Sequence, residues 1–177
     1  QVSLAQGRKA VRLNSGVRHH MDLSRYFERD DGSLPEVDVE FERSEPLQQA
    51  FNRLFELGAV NVTVNGGYLW MRKEMREVPF NGPQDAKLVT GELADSFHVV
   101  LGSIKWNDLL IPPLGILVDP QSLVIDYRMG SEWNRATIGG FINLLKSLAD
   151  LGGKVSVAKW WGADGQEDFD RYLGRGA

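Results

Sequence analysis

The sequence contains no cysteine. That absence removes disulfides, thiolate nucleophiles, cysteine-ligated zinc and iron–sulfur clusters together, and it fits a reducing compartment. No apolar run approaches the roughly 20 residues that a membrane-spanning helix needs, and no stretch has the apolar middle of a signal peptide. The expectation is a soluble, cytoplasmic protein without a membrane partner. Gly-x-Ser-x-Gly, His-Glu-x-x-His and the phosphate-binding glycine loops are missing as well, so the sequence names neither a catalytic machinery nor a cofactor.

Clustered basic charge is also scarce. The net charge is −4, and the imbalance is local. Residues 1–20 carry Arg8, Lys9, Arg12 and Arg18 with no acid, which leaves 16 basic against 24 acidic side chains in the remainder. An acidic body argues against nucleic acid, because holding phosphate needs grouped Lys and Arg. It suits a basic protein partner. Residues 1–20 lack a sustained apolar period and stop just before Met21, so they read as a basic leader, vector-derived or targeting, ahead of one domain over residues 21–177. A chain of this size buries about 70% of the surface it exposes when unfolded, enough for one core.

What is present is periodicity. Val37, Val39 and Phe41 alternate with Asp38, Glu40 and Glu42, which predicts a strand with one buried face. Ser44 is placed to cap a helix carrying Leu47, Phe51, Leu54 and Phe55, with Gly58 as its stop. Val60, Val62 and Val64 alternate again, and Asn65-Gly66-Gly67 reads as a tight turn into a returning arm at Tyr68–Met75, a hairpin. Residues 78–95 read as a loop with one helical turn near Glu92, and Ser96–Trp106 reads as a strand. Asp119-Pro120 joins two further strands. Ser131 is expected to cap a second helix with Ile138, Phe141, Ile142, Leu145 and Leu148 on one side, ended by Gly152-Gly153. Lys154–Trp161 reads as a strand, and Asp164 with Glu167 as the capping box of a short final helix bearing Phe169, Tyr172 and Leu173.

These elements give an α+β fold: a mostly antiparallel sheet with two main helices on one face and a short C-terminal helix. "LFELGAVNVTV" and "LADLGGKVSV" echo one another, so two related strand-helix-strand halves are one reading of the chain. Any two such units share that much pattern.

Candidate sites are few. His19, His20 and Asp22 could ligate a metal, but their spacing matches no recognised motif, and no metal is expected. Glu92, Asp95 and His98 would share a face if helical and could then form an acid–base cluster; a strand from Ser96 onward takes His98 off that face. Gly139-Gly140 lies inside a helix at a cost of about 1 kcal/mol per glycine relative to alanine. Close packing is the ordinary explanation, and a small molecule held between sheet and helix is the other. Asn61-Val62-Thr63 fits the glycosylation pattern but sits in a predicted strand, and reads as structural. On a strand, Trp160 and Trp161 would point to opposite faces, with Trp161 inward and Trp160 outward among Asp164, Glu167, Asp168 and Asp170. An exposed indole in an acidic rim is the expected site for a basic partner.

The expected function is a non-enzymatic protein-binding domain, of the kind that neutralises or sequesters a partner such as a toxin in the manner of an immunity protein. The alternatives are a small enzyme using Glu92, Asp95 or His98, and a small-molecule-binding domain.

Overall fold

In the computed structural model, residues 23–174 are described. The leader at residues 1–20 and the candidate ligands His19, His20 and Asp22 lie outside them. The fold is α+β, as expected. Its centre is a six-stranded sheet built from β1 (Glu36–Glu40), β2 (Val60–Asn61), β5 (Phe97–Gly102), β8 (Leu114–Val118), β9 (Ser122–Tyr127) and β10 (Lys154–Ser156). The strand order is β10-β1-β9-β8-β5-β2, and every pairing is antiparallel. Two small ribbons accompany it: β3 (Tyr68–Met71) with β4 (Arg76–Pro79), and β6 (Lys105–Trp106) with β7 (Leu109–Leu110). The helices are α1 (Ser44–Glu56), α2 (Ala86–Thr90), α3 (Arg135–Asp150) and α4 (Ala158–Leu173).

Alternation decides which face of the sheet is core. Val37 and Val39 pair with Ile125 and Leu123, Ile116 and Val118 continue the rows, and Phe97 and Val99 extend them to β5. All of these side chains are buried. Leu47, Phe51 and Leu54 of α1 and Phe141, Leu145 and Leu148 of α3 cover this face. Phe51 meets Phe97 and Phe80 edge-on at one end. Phe27, Tyr127, Trp133 and Phe141 form a second aromatic group at the other.

Several local expectations are corrected. The N-cap of α1 is Arg43, with no side-chain cap, so Ser44 is already helical. The cap of α3 is Asn134, not Ser131. Asn134 Oδ1 accepts from the N–H groups of Ala136 and Thr137, and the Thr137 hydroxyl accepts from Asn134 N–H, a capping box in which threonine replaces the usual glutamate. The arm at Tyr68 does not pair with Val60–Val64. Asn61 closes that segment on itself by accepting from Thr63 and donating to the Gly66 carbonyl, which is the structural role read for it. The strand expected in that arm does form, as β3, but its partner is β4, whose last two residues, Val78 and Pro79, fall in the stretch that reads as loop. The helical turn expected near Glu92 lies earlier, at Ala86–Thr90, and Glu92 has a left-handed backbone with φ 58°.

Trp160 and Trp161 do not lie on a strand. The strand ends at Ser156, and a helix begins at Ala158, kinked at Gly162. Gln166 explains the switch. Its Oε1 accepts from Val157 N–H at 2.7 Å and its Nε2 donates to the Val155 carbonyl at 3.4 Å, so a side chain rather than another strand takes the outgoing backbone groups. Both tryptophans are therefore helical. The box read at Asp164 and Glu167 does not form; Glu167 pairs with Arg171 one turn on.

The two strand-helix-strand units differ in reach. From the strand order, β1 and β2 run in the same direction with three strands between them, whereas β9 and β10 have only β1 between them.

Candidate functional site

Because α1 and α3 lie on the same side of the sheet, its other face carries a second set of side chains fixed by the same register. Across β1 these are Glu36, Asp38 and Glu40. Their cross-strand neighbours are Asp126, Val124 and Ser122 on β9, and Ser156 and Lys154 on β10. Leu117 on β8 lies beside Val124, and His98 on β5 lies beside Leu117. Val60 on β2 opposes Gly102, and Val62 packs against the same glycine. The helix-free face is thus divided, with carboxylates over β1 and β9 and apolar side chains toward β2. Val60 and Val62 are about half exposed, at 54% and 51%. Glu42 does not join the acidic row, because β1 stops at Glu40.

The acidic half is crowded. Burial raises the Asp38 carboxyl above the ordinary range, and Glu36, Glu40 and Asp119 add to the effect, while Lys159 opposes it. Lys159 Nζ donates to Glu36 at 3.2 Å. That contact ties the first turn of α4 to the edge of this face.

At the centre, Asp126 Oδ2 lies 2.6 Å from His98 Nε2. The hydrogen bond raises the His98 pKa above its ordinary value, and burial partly offsets it. Asp126 is on β9 and His98 on β5, so the contact bridges the intervening β8. The carboxylate does this by lying over Gly115, where any Cβ would overlap it.

The three acid–base candidates do not converge. Asp95 is paired with Arg72 Nε at 2.6 Å, His98 with Asp126, and Glu92 sits in the exposed turn after α2. Asp95 and His98 do line one cleft, of about 520 Å³, together with the exposed rings of Tyr68 and Trp70 on β3. Glu92 is not part of it.

Trp160 is 43% exposed. Trp161 is half-buried, with its ring 5.0 Å from that of Tyr26. Its indole nitrogen is buried near the Tyr127 hydroxyl without reaching hydrogen-bonding geometry. The acidic rim expected around Trp160 is partly occupied. Asp168 accepts from the Tyr26 hydroxyl at 2.7 Å and from Arg25 at 2.5 Å, and these contacts hold its carboxyl below the usual range, the tyrosine contributing most. Asp170 accepts from Gln166, and Glu167 is paired with Arg171. Asp164 is exposed.

The strand alternation turned Asp38 and Glu40 outward, but sequence reading passed over Glu36, Asp126 and the pairing of His98. The signal for Asp126 was available: in "SLVIDY" Leu123, Ile125 and Tyr127 alternate inward, which turns Asp126 outward. No periodicity shows that β5 and β9 flank one strand.

Comparison with protein-family models, with curated proteins and with solved structures gave no match.

Proposed function

We propose that the chain is a non-enzymatic protein-binding domain that receives a basic partner on the helix-free face of its sheet. One observation carries the reading: the strand register sets a crowded row of carboxylates beside half-exposed valines on the face away from α1 and α3. Complementary charge steers and orients a partner, and desolvated apolar side chains supply affinity. Glu36, Asp38, Glu40 and Asp126 outnumber Lys154 and Lys159 there, so a cationic surface relieves repulsion that the free domain retains. Trp160 is exposed and follows Lys159, whose ammonium reaches Glu36, and we take its indole as an apolar anchor at the rim of this face. A domain that covers a partner's basic surface in this way sequesters it, which is the immunity-type role.

The test is capture of basic proteins from the native host on the immobilised domain, in parallel with Asp38→Lys, Val62→Asp and Trp160→Ala. A partner retained by wild type and lost from the first two variants, with reduced retention on the third, supports the reading. Equal retention on all four places binding elsewhere.

A further inference from the structure

Gly139 and Gly140 occupy adjacent positions of α3 and have different surroundings. A Cβ at Gly140 would press on Leu109 Cδ2 at 3.2 Å, with Ile111 and Trp106 just beyond, so the β6–β7 ribbon accounts for that glycine. A Cβ at Gly139 would meet nothing within 4 Å among the described residues. Among the described residues no contact calls for glycine there, although glycine is the poorest helix former after proline. What Gly139 opens onto is a groove of about 570 Å³ between the outer side of α3, the turn at Leu23–Tyr26 and the end of α4.

The groove is built for one kind of chemistry. Leu23, Ile138 and Ile142 are buried and form its apolar floor. Successive turns of α3 add Arg135, Gly139, Asn143 and Lys146 along one line, since residues three and four apart share a helix face. Neither Arg135 nor Lys146 has a side-chain hydrogen bond or ion pair among the described residues, and Lys146 is half-buried. Among the described residues one acid, Glu28, lines the groove against these two cations. A half-buried ammonium without a partner favours an anion, and an apolar floor favours a hydrocarbon.

We infer that this groove binds a free, single-chain anionic amphiphile such as a fatty carboxylate, its chain lying on Ile138 and Ile142 across Gly139 and its head group meeting Lys146 and Asn143. The site is separate from the proposed protein-binding face, so either assignment can fail without the other. Arg135 adds to the positive field at the opposite end. Gly139 lets the chain approach the helix backbone, where a methyl group would hold it off.

Dodecanoate, below its micelle concentration, is the probe, measured by calorimetry and by thermal melting monitored by circular dichroism. Wild type is expected to bind it and to melt at a higher temperature in its presence. Gly139→Ala is expected to raise the melting temperature of the free protein while weakening dodecanoate binding by about tenfold or more, a gain and a loss that a merely structural glycine would not combine. Lys146→Gln should weaken binding with little effect on the free protein, and dodecyltrimethylammonium should not bind. The inference is overturned if dodecanoate does not bind, if the cationic amphiphile binds equally, or if Gly139→Ala and Lys146→Gln both bind as wild type does. Binding to phosphatidylglycerol vesicles but not to free dodecanoate also overturns it, since that would make the groove a membrane contact.

Discussion

Asp126 reaches across a neighbouring strand to His98, with Oδ2 and Nε2 2.6 Å apart, through the space that Gly115 leaves by having no side chain. One hydrogen bond thereby links β9 to β5 over β8, on the face of the sheet away from α1 and α3. A glycine in the interior of a sheet weakens it. Here the glycine is what allows the acid and the histidine to meet.

The first prediction tests that dependence. Gly115→Ala should displace the Asp126 carboxylate, a flexible group at the end of its side chain, rather than disrupt the core on the opposite face. The His98 titration midpoint should then fall back toward the ordinary value of about 6.5. An NMR titration of the His98 ring protons checks this, and an unchanged midpoint would mean that Asp126 is not held through Gly115.

A second prediction follows from linkage. The His98 pKa is raised in the folded state, chiefly by its bond to Asp126. Its contribution to stability is therefore fully present below the unfolded value of about 6.5 and is lost as the pH rises through the folded value. Urea unfolding across roughly pH 5 to 8 should show this decline in wild type and not in Asp126→Asn. Because His98 is 44% exposed, solvent screens the pair and the effect is small.

Third, Asn134→Ala should destabilise the fold by about 1 kcal/mol, the usual cost of removing a side-chain cap. Ser131→Ala should change stability by less than about 0.5 kcal/mol. Chemical denaturation of the two variants distinguishes the caps directly, and a larger loss at Ser131 would reverse the assignment.

Fourth, Phe51→Ala and Leu145→Ala should each cost about 2 to 5 kcal/mol, since both side chains are wholly buried between helix and sheet. Equilibrium unfolding measures both. A loss below about 0.5 kcal/mol at either position would contradict the packing described for that helix.

Residues whose neighbours lie close in sequence were the legible ones. Val37, Val39, Phe51 and Leu145 declare their burial through periods of two and of three to four. The β8–β9 hairpin declares itself through Asp119-Pro120. What sequence reading missed depended on distant partners or on competing local bonds. Val60, Val62 and Val64 alternate like a long strand, yet Asn61 diverts the chain after two paired residues. Trp160 and Trp161 continue a valine alternation, yet Gln166 ends the strand before them. His98 with Asp126 could not be found by any window, because the contact passes over a third strand.

β1 lies one strand in from an edge of the sheet, and both of its neighbours, β9 and β10, come from the far half of the chain. Its valines have no strand to pair with until that half has been synthesised, and the β10 side is completed close to the end of the described chain. Loop closure must precede the reward of such long-range contacts, which places refolding in the slow range for a domain of this size, milliseconds to seconds or longer, rather than microseconds. A ribosome-bound chain that stops before Lys154 presents β1 with one side unpaired, an exposed edge of the kind that other chains can join.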